Sequence, residues 1–109
     1  VSKLISGRWH GFYEQGGLRY PQTVQLELAD GIIRGEGVDG LGVFSIQGEY
    51  RREQDAVRMG WIKTYERAHS VLYLGVLSGN QLTGQWSLTA GLPGGGFALL
   101  PPDVVGDPS

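Results

Sequence analysis

Five polar side chains of different chemistry fall at corresponding ends of alternating segments: Gln15, Asp39, Lys63, Tyr65 and His69. A carboxylate, an ammonium, a phenol and an imidazole brought together can hold the polar head of a small molecule. With tuned acidities they can also move a proton. Two of them lie in "WIKTYERAH" (61–69), where a row that begins apolar with Val57, Met59 and Trp61 turns polar at Lys63 and Tyr65. Tyr13 and Trp86 fall just below the same level on their own segments and complete the candidate ligand-binding set.

Other chemistries are thinly represented. His10 and His69 belong at opposite ends of the fold and cannot share a metal, and no metal site or cofactor is expected. Asp39, His69 and Ser70 do not form a triad, because Ser70 faces outward when His69 faces inward, so no catalytic residue is assigned. "GLPGGG" (91–96) has the composition of a phosphate-cradling loop but lacks the Lys-Ser/Thr ending and the following helix, and reads as a lip or lid loop. Without cysteine there are no disulfides, thiolate metal sites or cysteine nucleophiles.

The elements that must position the polar set follow from composition and period. Nineteen glycines in 109 residues disfavour helices, since each costs about 1 kcal/mol in a helix interior. Eight segments, near 6–15, 22–29, 32–39, 43–51, 56–65, 69–77, 81–88 and 96–100, alternate apolar and polar residues as half-buried strands do. The breaks "ADG", "VDGLG", "REQDA" and "SGN" are short enough for hairpins and leave no room for a crossover helix. The expected fold is therefore all-β: an eight-stranded antiparallel up-and-down (meander) β-barrel, closed because an open meander would expose its edges. One domain spans 1–100, and 101–109 reads as a flexible C-terminal tail.

The period also sorts the interior by height. Trp9, Leu28, Ile33, Val57, Leu77, Leu82 and Leu99, with Tyr50, form a plug at one end, and the polar set collects at the other. Glycines two positions after large residues, as in "IRGEG", "IQGEY" and "LTGQW", leave room for three tryptophans and let the strands bend. Two readings of Asp39 and Lys63 are open: contact with a ligand at the lip, or a structural ion pair across the mouth.

The segments "GRWHGFYEQ", "IIRGEGVD", "FSIQGEY", "HSVLYLG" and "LTGQWSL" together resemble a small barrel of the calycin superfamily, avidin-like and lipocalin-like, with Gly7 and Trp9 as its Gly-x-Trp signature. The resemblance implies a ligand site inside the open end, where strand three leads into strand four. Avidins carry an Asn two residues after the signature Trp that helps bind biotin, and Gly11 stands there in this chain. "GRWHG" with Tyr20 and Pro21 also resembles nitrobindin-like haem barrels, which need an inward His near a haem-sized cavity.

The expected function is a non-catalytic small-molecule-binding β-barrel that holds a partly apolar ligand in its open end. The alternatives are a barrel enzyme of isomerase or cyclase type, using Tyr65, Lys63 or His69, and an interaction domain whose interior is self-filled. A net charge of -2 without a basic stripe argues against nucleic acid and anionic membranes as partners. No 18-residue apolar run is present, and a cytoplasmic location is favoured without being fixed. Ile62, Leu72, Leu74 and Val76 make an outward apolar stripe and predict a homo-oligomer, a homodimer first, unless Val104 and Val105 of the tail fold back over it.

Overall fold

In the computed structural model, residues 4–66, 69–88 and 93–102 are described. They form strands β1 (Gly7–Gln15), β2 (Leu18–Ala29), β3 (Ile32–Asp39), β4 (Gly42–Glu53), β5 (Ala56–Tyr65), β6 (Ser70–Ser78), β7 (Gln81–Leu88) and β8 (Pro93–Leu100). Each strand pairs antiparallel with its neighbours in sequence, and β8 returns to β1 to close an eight-stranded meander barrel. Closure is made over His10↔Leu100 to Tyr13↔Phe97, so no edge is left unpaired at mid-barrel.

Alternation decides which side chains fill the interior. On β5, Val57, Met59, Trp61, Lys63 and Tyr65 are buried while Arg58, Ile62 and Thr64 are exposed, the two-residue period of a half-buried strand. Trp9, Ile33, Val57, Leu77, Leu82 and Leu99 form the apolar plug, with Leu28 and Tyr50 packed partly buried against it. Each large apolar side chain removed from water there contributes about 1.5–3 kcal/mol. The chain entering β1 closes this end: the Trp9 indole N–H donates to the Ile5 carbonyl at 2.8 Å, and the Leu28 amide donates to Ser6 Oγ at 2.9 Å. After β8, Pro101 is buried and Pro102 lies against Gly7. Val104 and Val105 lie outside the described residues.

Two strands begin earlier than their sequence suggests. β2 starts at Leu18 rather than 22, because Gly16 and Gly17, both at positive φ, make a two-residue hairpin turn directly after β1. Pro21 does not break it: it sits opposite Phe12, on a stretch that β3 does not yet flank, where a missing N–H costs no ladder bond. β8 starts at Pro93 rather than 96, so "PGGG" is strand and not lid loop. A side chain at Gly94 would lie 2.5 Å from Trp86 Cε3, so the bare backbone is what lets the Trp86 indole lie flat against β8. β3, β5 and β7 have the expected bounds, and the remaining boundaries differ by at most two residues.

Space for Trp61 is made in the same way. A Cβ on Gly48 would collide with the Gly60 carbonyl and come within 2.6 Å of Trp61 Cα and Cβ. Gly48→Ala is therefore expected to destabilise the barrel by about 1–3 kcal/mol. Gly40→Ala, which meets no atom within 4 Å, serves as a neutral control. Chemical denaturation of the two variants checks this; equal stability would show that the β4–β5 contact is not tight.

Candidate functional site

The open end of the barrel is where β1, β3, β5 and β7 finish. Asp39, the last residue of β3, is oriented by its own turn, its Oδ1 accepting the Leu41 amide at 2.9 Å. Asp39 Oδ2 accepts twice more, from Lys63 Nζ at 2.8 Å and from the Tyr65 hydroxyl at 2.6 Å. Lys63 also donates to Gln22 Oε1 at 3.1 Å, and the Tyr73 hydroxyl donates to the same oxygen at 3.2 Å. The ion pair is sealed: the Lys63 side chain is 1% exposed and that of Asp39 3%. Four rings surround the ammonium, with centroids at 4.2 Å for Phe44, 5.2 Å for Tyr65, 5.5 Å for Tyr73 and 5.7 Å for Tyr13. Their electron-rich faces replace part of its lost hydration.

Protonation follows from this packing. Burial pushes the Asp39 carboxyl upward, but hydrogen bonds from Lys63, Tyr65 and the Leu41 amide, with the Lys63 charge, outweigh it and hold the group below its ordinary 3.8. Burial pulls the Lys63 ammonium down, opposed by its bond and charge contact with Asp39. The phenol of Tyr65 is raised by burial and then by its hydrogen bond to Asp39, and those of Tyr73 and Tyr13 by burial and then by the Asp39 charge. All three stay neutral across the physiological range.

Above this layer lies a chamber of about 330 Å³ lined by Tyr13, Gln15, Leu41, Tyr65, His69, Val71, Tyr73, Trp86, Leu88 and Pro93. Its volume is at the small end of ligand pockets, about 300–1,000 Å³. The Trp86 indole N–H donates to the Glu14 carbonyl at 2.8 Å, above the point where β1 and β8 stop pairing, and its ring stands edge-on to Tyr13 at 6.3 Å. Gln15 is exposed at the end of β1, and His69 is exposed just before β6, its ring 5.7 Å from that of Tyr65.

Of the seven residues singled out in the sequence, Tyr13, Gln15, Tyr65, His69 and Trp86 share the chamber wall. Asp39 and Lys63 do not line it; they form the ion pair behind it, joined to it through Tyr65. Gln22 and Tyr73 are the additions. Gln22 has the same parity as Val24 and Leu26, so extending the inward row by one step identifies it, whereas Tyr73 reads as an ordinary core aromatic.

The interior does not fit haem. His10 lies on the outward face of β1, His69 stands at the rim, and the space beneath the chamber is filled by Trp61, Tyr73, Phe97 and Lys63. Among the described residues no group of three His, Asp or Glu could hold a metal ion, and no helix is long and apolar enough to cross a membrane. A larger but shallower depression of about 820 Å³ runs over the outer wall, with Ile32, Arg34, Glu49, Arg58, Ile62, Leu72 and Leu74 along it. Compared with known proteins, the chain matches no family model, no curated protein and no solved structure.

Removing one member of the buried pair strands the other. Lys63→Met is expected to cost about 3–5 kcal/mol, and adding Asp39→Asn, which keeps the Leu41 and Tyr65 contacts, to recover much of it. Thermal and denaturant melts of the four-member cycle check the coupling; additive losses would contradict a sealed pair. The acid limb has a definite sign. Because the folded-state pKa of Asp39 lies below the unfolded one, its stabilisation is complete above about pH 3.8 and is lost as pH falls through the lower folded value. Asp39→Asn should remove that part of the acid limb, measured as stability against pH.

Proposed function

We propose that the protein is a non-catalytic small-molecule-binding barrel whose ligand, partly apolar, sits in the chamber at the open end. The observation that carries this reading is an aromatic chamber whose wall residue Tyr65 is fixed from behind by a buried ion pair. A phenol held at 2.6 Å by a carboxylate cannot swing, and a preorganised wall reduces what a ligand must order on binding. Tyr13, Tyr65, Tyr73 and Trp86 offer apolar faces, and Gln15 and His69 offer polar atoms at the rim. Catalysis by proton transfer is the less favoured reading, because the Tyr65 proton and two of the three Lys63 protons are directed at Asp39 and Gln22 rather than into the chamber.

Kinship with the avidin and lipocalin barrels is part of the proposal. In its favour are the eight-stranded meander and the place of Gly7 and Trp9, the indole sealing the closed end. A biotin-type ureido contact from β1 is disfavoured, since a side chain at Gly11 would run into the Ala98 carbonyl. Native mass spectrometry of the protein from its own host is expected to find a co-purified small molecule. Trp86→Leu should reduce its occupancy at least tenfold while the melting temperature stays within a few degrees. Full retention by that variant would place the ligand elsewhere.

Self-association is proposed through the outer wall of β5 and β6. Leu74 is 57% and Ile62 44% exposed, Leu72 and Val76 are half-buried beside them, and Ile32 extends the apolar surface. Arg34 and Arg58 flank the same depression as Glu49. A two-fold pairing would therefore set the carboxylate of one copy against the guanidinium groups of the other. Sedimentation should give a dimer mass for the wild type and a monomer for Leu74→Glu; a monomeric wild type removes the interface.

A further inference from the structure

The layer beneath the chamber leaves hydrogen-bond donors unpaired. Gln22 Nε2 and Trp61 Nε1 are buried without a partner. The Lys63 ammonium has three N–H groups, of which two are directed, at Gln22 and at Asp39. The carboxylate and amide oxygens at this level already accept: Asp39 Oδ1 from Leu41, Asp39 Oδ2 from Lys63 and Tyr65, and Gln22 Oε1 from Lys63 and Tyr73. Turning the Gln22 amide over does not cure this, because it would set its NH₂ against the Lys63 ammonium, which can only donate. A buried donor left unpaired costs about 1–3 kcal/mol, so two of them on one level are a standing cost of folding this way.

The unpaired donors meet at one ring. Trp61 stacks on Tyr73 at 5.4 Å with planes 11° apart, Gln22 holds the Tyr73 hydroxyl, and Tyr73 is itself a wall of the chamber. The Gln22 amide is thus one side chain away from the space a ligand would enter. The charge arrangement narrows the ligand further. Lys63 already lies against the faces of Tyr13, Tyr65 and Tyr73, and its only ionic partner among the described residues is Asp39. A second cation brought to those rings would meet the first across a low-dielectric gap.

We propose that the chamber takes a ligand with an acceptor oxygen at its head, a carbonyl or carboxylate, which displaces the Tyr73 or Tyr13 ring edge and accepts from Gln22 Nε2, while an apolar ring lies in the chamber against Tyr65 and Trp86. A ligand headed by an ammonium is excluded. The inference rests on the chamber being the binding site, and the test separates the two. Calorimetric titration with benzamide, benzoate and benzylamine keeps the ring and changes only the head.

Benzamide or benzoate is expected to bind at least about tenfold tighter than benzylamine, the worth of one good hydrogen bond. Gln22→Glu keeps the oxygen that serves Lys63 and Tyr73 but turns the donor into an acceptor, so the order should invert in favour of benzylamine. If Gln22→Glu melts below the assay temperature, Gln22→Met carries the comparison and should level the three affinities. Equal binding of all three heads to the wild type would keep the chamber and overturn the donor assignment. An unchanged order in the variant would remove Gln22 from recognition, and no binding of any probe would overturn the chamber reading and this inference together.

Discussion

A lysine ammonium in the middle of a small β-barrel is the constraint around which the open half is organised. Lys63 sits on an inward position of β5 and cannot reach water, so charge, hydrogen bonds and π-faces must all be supplied from inside. Asp39 comes from β3, Gln22 from β2, Phe44 from β4, Tyr73 from β6 and Tyr13 from β1, so five strands besides its own are tied to one nitrogen. The carboxylate is in turn fixed by the turn that ends its own strand. Tyr65 shares that carboxylate, and through it the ion pair sets the position of a chamber wall. A single buried charge thereby couples the shape of the mouth to the packing of the core.

The closed half obeys a simpler rule, and its legibility in the sequence differs accordingly. A two-residue period names the inward set on every strand, and the plug of Trp9, Ile33, Val57, Leu77, Leu82 and Leu99 follows from it directly. Short turns then leave a meander as the only economical path. Pro21 and the run Pro93–Gly96 were hidden from the same reasoning because proline and glycine usually punctuate strands. Here proline occupies a stretch without a second neighbour, and the glycines clear space for one indole. Neither circumstance can be read before the register of the neighbouring strands is known.

At the candidate site, period and height bring the residues together without ranking their roles. Seven side chains at or just below the lip look equivalent from sequence, yet burial divides them into a sealed pair and a chamber wall. Gln22 is obscured because the apolar row of its strand begins only at Val24, and Tyr73 because a tyrosine in a core row is usually only packing. What distinguishes both is a hydrogen-bond pattern shared across strands, which no spacing along one strand encodes. The polar cluster thus belongs to the fold as well as to the site. That double duty is consistent with a binding module, in which rigidity of the wall serves recognition.

The three tryptophans offer one direct test of where a ligand goes, since Trp9 lies at the closed end, Trp61 in the layer beneath the chamber and Trp86 on its wall. In an amide-detected NMR titration with a small-molecule extract of the host, the indole N–H of Trp86 should move most, that of Trp61 follow, and that of Trp9 stay fixed. No movement of Trp86, or a shift of Trp9 as large as its own, would contradict a ligand chamber at the open end.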